Sequence, residues 1–334
     1  MWTKKKENAL PIDLDGVKAI NKKYALSRES PVVLRGDQAP PQPVSWVTSG
    51  CASVDLAFGQ GVPRGRVLEL YGPPSGGKTA LAVSLARSVQ DAGGDVLYID
   101  AEYAMNPTWR ASLDQAKLFW CEPEYGEQAW DIAGEFITQG IDLVVVDSIA
   151  TLTPRAEAEA SMEEQQRGAL ARMMGKAMRT IAPLVFKSGA ILVCVNQIRS
   201  GMSQYEIEVR PGGKSLPYSA SLCAKVSREE QIKDGTVPIG QKVRVQVTKN
   251  KVAAPGKTGY FTVYYEGPNA GIDKLQGLLD AGEQLGLIQK KGPYVYFCGE
   301  QLGQGAEKAK AALRENVTLR ESLSAAVLAG MEAR

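Results

Sequence analysis

The chain has 334 residues, 44% of them hydrophobic and 23% charged, with a net charge of +2. That balance fits a folded protein with a sizeable core, and it excludes any argument for a polyanionic partner from bulk charge alone. Histidine is absent, which excludes a histidine general base, a Ser-His-Asp triad and histidine metal ligands together.

Residues 1 to about 30 are basic and open with Lys4-Lys5-Lys6. No apolar stretch follows that would make a signal peptide. Leu14, Val17, Ile20 and Tyr24 recur at helical spacing. The helix they predict must lay its stripe on the rest of the chain or on a neighbour. A Pro-rich linker, residues 36–43, comes next.

Then follows the most specific motif, Gly72-Pro73-Pro74-Ser75-Gly76-Gly77-Lys78-Thr79. A Gly, four residues, Gly, Lys and Ser or Thr make a phosphate loop. Glycines let the backbone N–H groups turn inward around a polyphosphate, and the next helix adds its positive end. Lys78 is expected on the β- and γ-phosphates and Thr79 on Mg²⁺. Val67–Tyr71 reads as the strand before the loop, and residues 79–87 read as the helix after it.

Further apolar runs follow at Val96–Ile99, Leu143–Val146 and Ile191–Val195. They are apolar nearly throughout, as in parallel strands covered on both faces. Each ends in a polar residue at the edge where such sheets bind ligands. Asp100 and Glu102 follow the first run. Glu102 is placed to polarise a water, or else to cap a helix. Asp147 ends the second, either to orient Mg²⁺ or as a turn residue. Asn196 and Gln197 end the third, as sensors of the γ-phosphate or as turn residues. Leu222–Ser227, Lys242–Thr248 and Tyr260–Tyr265 then follow without intervening helices and read as antiparallel strands. From about Ala270 helical stretches flank one strand-like piece, Tyr294–Phe297. Cys51, Cys121, Cys194, Cys223 and Cys298 are scattered and lack Cys-x-x-Cys spacing. Reduced thiols are expected, with neither a disulfide frame nor a zinc site. No apolar run is long enough to span a bilayer.

Two further segments stand out. Residues 157–168 lead into a helix on which Arg172, Lys176 and Arg179 share a face. A solvated basic face is one meaning of that spacing. Residues 198–211 form a long polar connector. A connector of that length is functional or disordered, and it carries Arg199, Met202, Tyr205, Ile207 and Arg210.

In order and spacing, the phosphate loop, Asp100-Ala-Glu102, Val-Val-Asp147-Ser148, Leu152-Thr-Pro154, Ala171-Arg172-Met173-Met174, Asn196-Gln-Ile-Arg199, Gly212-Gly213 and Lys249-Asn-Lys251-Val-Ala-Ala-Pro255 resemble the RecA recombinase family over nearly the whole chain. The resemblance implies an α/β RecA-like phosphate-loop core whose mostly parallel central sheet is extended by antiparallel strands. It implies three parts. Residues 1–43 are a helix and linker for packing between protomers, residues 44–268 the ATPase core with two DNA loops, and residues 269–334 a small C-terminal α/β domain. It implies ATP and Mg²⁺ as cofactors and a cytoplasmic protein. It also implies a helical filament on single-stranded DNA that pairs with homologous double-stranded DNA and exchanges strands. Loader proteins and a self-cleaving repressor are further partners that the family admits.

By the same likeness Glu102 is the catalytic carboxylate and Gln197 couples ATP to the DNA loop. Lys249 and Lys251, which alone read as a solvated strand end, reach a neighbour's γ-phosphate. Ala80, Asn106, Trp109 and Tyr265 surround the nucleotide, Trp109 standing where the family has a stacking Tyr. The same likeness makes the two segments DNA-binding loops: Arg172, Lys176, Arg179, Arg199 and Arg210 meet phosphates, Met202, Tyr205 and Ile207 wedge or stack against bases, and Gly212 and Gly213 close the second loop. Four departures stand out. Pro217-Tyr218 replaces the usual Lys-Phe, Arg167 replaces an apolar residue, Ala80 replaces a hydroxyl, and residues 331–334 lack an acidic tail. A ring-forming motor on the same core, or a DNA-coating paralogue without turnover, are the other classes open to these residues.

Overall fold

The computed structural model describes residues 14–24, 32–34, 43–161, 168–200, 208–267 and 270–333. They fall into two units, one up to Val44 and one from Ser45 onward. In the first unit, helix α1 (Leu14–Tyr24) is tied to a short extended piece. Asn21 holds both backbone groups of Val33, donating to its carbonyl at 2.7 Å and accepting from its N–H at 2.8 Å. Ile20 and Tyr24 of the expected stripe are exposed.

The second unit is built on a nine-stranded sheet. Its strands are β1 (Val67–Gly72), β2 (Val96–Asp100), β3 (Leu118–Cys121), β4 (Leu143–Asp147), β5 (Ile191–Gln197), β6 (Leu222–Asp234), β7 (Val237–Asn250), β8 (Thr258–Tyr264) and β9 (Gly271–Ile272). They lie in the order β9-β8-β7-β6-β1-β5-β4-β2-β3. From β6 to β3 every pairing is parallel, and β7, β8 and β9 continue antiparallel. This is the mostly parallel, antiparallel-extended sheet that the sequence predicts.

The unbroken apolar runs have a simple cause. Side chains alternate between faces, and here both faces are covered. Val96, Tyr98, Leu143, Val145, Ile191 and Val193 meet one cluster with helix α3 (Lys78–Asp91). Leu97, Ile99, Val144, Val146, Leu192 and Cys194 meet the other, with α4 (Gly126–Thr138) and α5 (Ala169–Ser188). Two features differ from the sequence reading. Edge strand β3 is only partly covered, so Leu118, Phe119 and Trp120 give no buried run. Strands β6 and β7 run on as a long hairpin whose far half is mainly exposed and polar.

Beyond the sheet come α6 (Lys274–Gln284), then α7 (Gly305–Glu315) and α8 (Val317–Glu332). They pack with three antiparallel strands, Ile288–Lys291, Tyr294–Phe297 and Glu300–Gln304. Only the middle strand has the apolar alternation that sequence can detect. Its partners are IQKK and EQLGQ, polar segments ordered by pairing. The third apolar cluster includes Leu279, Phe297, Leu313 and Leu323, and takes Leu56 from α2 (Ala52–Phe58). Among the described residues no helix is long and apolar enough to cross a membrane.

Candidate nucleotide site and DNA-facing segments

Residues 73–77 join the end of β1 to the start of α3. The glycines there leave no room for a side chain. A Cβ on Gly72 would lie 2.0 Å from the Val226 carbonyl oxygen, and one on Gly77 would lie 2.9 Å from Val243 Cγ2. Gly77 also has φ +97°, in the region that favours glycine. The loop is therefore pressed onto β6 and β7, and Gln241 donates to the Ser75 carbonyl at 3.2 Å. Lys78 lies over the loop and donates to the carbonyls of Pro73 (2.7 Å) and Gly72 (3.2 Å). Burial lowers its pKa, while the nearby carboxylates of Asp147 and Glu102 oppose that shift.

Asp147 ends β4 on the α3 face of the sheet. Its Oδ2 accepts from Thr79 Oγ1 and from Tyr98 OH, each at 2.8 Å. Burial pushes its pKa up to about 6 against the pull of those two donors. A hydroxyl and a carboxylate touching at the mouth of a glycine cradle form an all-oxygen pair of the kind a hard cation takes. Tyr98 was not singled out in the sequence. Two residues beyond Val96 on the same face, it reads as one more core residue, and the sequence carries no signal of this role.

Glu102 stands across from this pair. Its Oε1 accepts from Ser148 Oγ at 2.6 Å and from Gln197 Nε2 at 2.7 Å. Asp100 shapes the turn that presents it, accepting from the N–H groups of Glu102 and Met105 at 3.2 Å each. Glu102 is thus no helix cap. The short helix Pro107–Ala111 is capped by Asn106, whose Oδ1 accepts from Thr108 N at 2.8 Å. Trp109 on that helix joins Ala80, Val83, Ser84, Arg87 and Thr108 around a groove of about 290 Å³. Its buried Nε1 has no hydrogen-bond partner among the described residues. Tyr265 follows β8 at the phosphate-loop edge, since Tyr264 pairs with Gly240 beside Gln241.

Lys249 and Lys251 are not brought to this site. Lys249 is in register with Cys223, and Cys223 with Glu69. Lys251 N donates to the Ser221 carbonyl, and Ser221 N to Val67 at the start of β1. Both lysines therefore lie toward the opposite edge of the sheet from the phosphate loop. There Lys249 donates to the carbonyls of Pro217 and Tyr218, and Lys251 to that of Tyr218 at 3.4 Å. The Tyr218 ring beside them is 69% exposed.

Arg172, Lys176 and Arg179 are exposed along α5, as their spacing requires. Arg172 and Lys176 also line a groove whose other wall carries Glu127, Asp131 and Glu135. Arg199 is exposed and starts a two-residue hairpin stem, paired with Val209. Gly212 and Gly213 bring the chain back against Met174 and Ala171 of α5. Met202, Tyr205, Ile207 and Arg167 lie outside the described residues. Arg210 departs from the expectation of a phosphate contact. Its Nη1 is paired with the fully buried Glu69 at 2.8 Å, and its guanidinium lies 3.4 Å from the centre of the Tyr71 ring. A buried carboxylate demands such a partner, and Glu69 sits in the middle of an apolar strand where sequence reading passes over it.

Residues 13–272 match the model of the RecA N-terminal domain, and residues 276–332 match that of the RecA C-terminal domain. Protein RecA of Kineococcus radiotolerans is 40% identical over 311 residues, covering 91% of this chain and 87% of the relative. Protein RecA of Nocardioides sp. is 41% identical over 292 residues, 86% and 83% of the two chains. Protein RecA of Mycobacteroides abscessus is 41% identical over 292 residues, again 86% and 83%.

Proposed function

The chain belongs to the RecA family of DNA-dependent ATPases that act in DNA recombination and repair, and on that premise we propose how its residues divide the work. Residues 72–80 hold the triphosphate, with Lys78 drawing charge from the β- and γ-phosphates. Trp109 stacks on the adenine, with Asn106 and Tyr265 at its borders. Thr79 and Asp147 would hold a Mg²⁺ ion, which when bound would neutralise phosphate charge. Their direct hydrogen bond supports this reading. Among the described residues no group of three or more Cys, Asp or Glu side chains converges to hold a metal by itself. That accords with an ion held largely by phosphate and water.

Glu102 takes a proton from the attacking water. Ser148 and Gln197 both donate to Oε1, which leaves Oε2 as the base. Gln197 ends the strand that leads directly into the Arg199 stem. This is the observation that carries the reading, because one side chain touches the catalytic carboxylate and heads a DNA-facing segment. Arg199, Arg172, Lys176 and Arg179 meet DNA phosphates, and Gly212 and Gly213 shape the second loop. Lys249 and Lys251 complete the site of the next protomer in a head-to-tail filament, which brings single-stranded DNA to its duplex homologue in the cytoplasm.

The test is ATP hydrolysis with Mg²⁺, measured with and without single-stranded DNA over a range of salt. Stimulation by DNA that falls steeply with salt is expected. Hydrolysis indifferent to DNA at low salt would overturn the proposal.

A further inference from the structure

Glu69 is the only charged side chain of β1, and it is fully buried. One of its oxygens is engaged by β5 itself and the other by the polypeptide that follows it. Oε2 pairs with Arg210 Nη1 at 2.8 Å, and Oε1 accepts from Asn196 Nδ2 at 3.2 Å. The same Asn196 nitrogen donates to the Pro211 carbonyl at 3.2 Å, while its Oδ1 accepts from Gln197 N at 3.0 Å. Gln197 in turn donates to Glu102. The network is continuous from Arg210, the residue after the stem, to Glu102.

Tyr71 lies on the same face of β1 as Glu69, two residues on, and its ring lies under the Arg210 guanidinium. That contact and the ion pair fix both the plane and the direction of the Arg210 side chain. On the other side of the stem Lys225 pairs with Glu208. With its charge matched by Glu69, Arg210 has little left for a DNA phosphate.

We propose that Arg210 is a positioning residue. Through Glu69 and Asn196 it sets Gln197 against Glu102, so that the state of the 208–213 segment reaches the hydrolytic site. This rests on the reading that Gln197 couples DNA to Glu102. A bound strand that moves the stem pulls on both Pro211 and Arg210, and Asn196 passes the change to the Gln197 backbone.

The experiment uses the full chain with Arg210→Met, Arg210→Lys, and the paired variant Glu69→Gln with Arg210→Met. The paired variant leaves no unpartnered buried charge if Arg210→Met alone fails to fold. Two quantities are read. The first is the slope of log affinity for single-stranded DNA against log salt. The second is the ratio of DNA-stimulated to DNA-free ATP hydrolysis. The slope is expected to stay at the parent value and the ratio to fall about tenfold or more, with partial recovery in Arg210→Lys. A slope that weakens by about one would make Arg210 a phosphate contact and overturn the proposal. So would a parental ratio in the paired variant. Gln197→Ala, run alongside, separates the two layers. Loss of stimulation there but not in the paired variant sinks the role of Arg210 alone. Retained stimulation in Gln197→Ala sinks the reading beneath it.

Discussion

Lys249 and Lys251 test the filament reading by arithmetic. Lys251 is level with Val67, and the phosphate loop opens five residues further along β1 at Gly72. At roughly 3.3 Å per residue that is about 16 Å, too far for a lysine side chain to bridge. Lys249 is turned to the carbonyls of Pro217 and Tyr218. If the pair acts on phosphate at all, it acts in another copy. In a head-to-tail array each working site then joins the phosphate loop of one protomer to the lysines of the next. Let one protein carry Lys78→Ala and a second carry Lys249→Ala with Lys251→Ala. Each alone is expected to lose about 10²–10³ in turnover, the usual cost of removing a charge-stabilising donor. Mixed one to one, a site works when its loop and its lysines both come from the intact version. With random assembly that is about a half of a half, so the mixture should reach about a quarter of parental turnover per protomer. The assay is steady-state ATP hydrolysis on single-stranded DNA, with the two proteins mixed before DNA is added. A mixture no more active than the sum of its parents would refute the trans assignment.

Glu102→Gln keeps an oxygen for Ser148 and Gln197 but removes the base. Single-turnover hydrolysis should drop by at least about 10²-fold, while fluorescence-monitored nucleotide binding holds. An equal loss of binding would contradict the role of Glu102. Asp55 offers a pH test away from the site. Its carboxyl is buried in α2, accepts from Ser49 N and Thr48 Oγ1, and has its pKa pushed up by burial to about 6. The fold thus favours the protonated acid. That contribution is complete below the ordinary aspartate value of about 3.9 and fades as pH rises through about 6. Roughly two units correspond to about 3 kcal/mol. Urea unfolding should show Asp55→Asn gaining up to that much on the parent between pH 4 and pH 8, and parallel stability curves would count against it.

What was readable in the chain and what was not divide along physical lines. The phosphate loop was legible because its whole signal lies in consecutive residues, Gly72 to Thr79, even though the atoms that crowd Gly72 and Gly77 belong to distant Val226 and Val243. The parallel strands were legible because coverage on both faces removes polar residues from them. Asp147, Glu102 and Gln197 were legible because a polar residue after such a run falls at the ligand edge. Illegibility begins where two distant residues pair their opposite charges. Glu69 and Arg210 are 141 positions apart. Nothing near either one signals the other, so Arg210 reads as free for DNA until the sheet brings them together. Strand β3 and the polar partners of Tyr294–Phe297 escaped for a related reason, since pairing alone makes them strands. Tyr98 was hidden by its own camouflage: in a buried run an aromatic residue reads as core, and only the position of Asp147 turns its hydroxyl into a hydrogen-bond donor to the site. The local motif announces the chemistry, whereas the proposed route of regulation runs through a long-range pair, Glu69 and Arg210. Substitutions in such pairs are therefore expected to change how DNA governs hydrolysis before they change whether nucleotide binds.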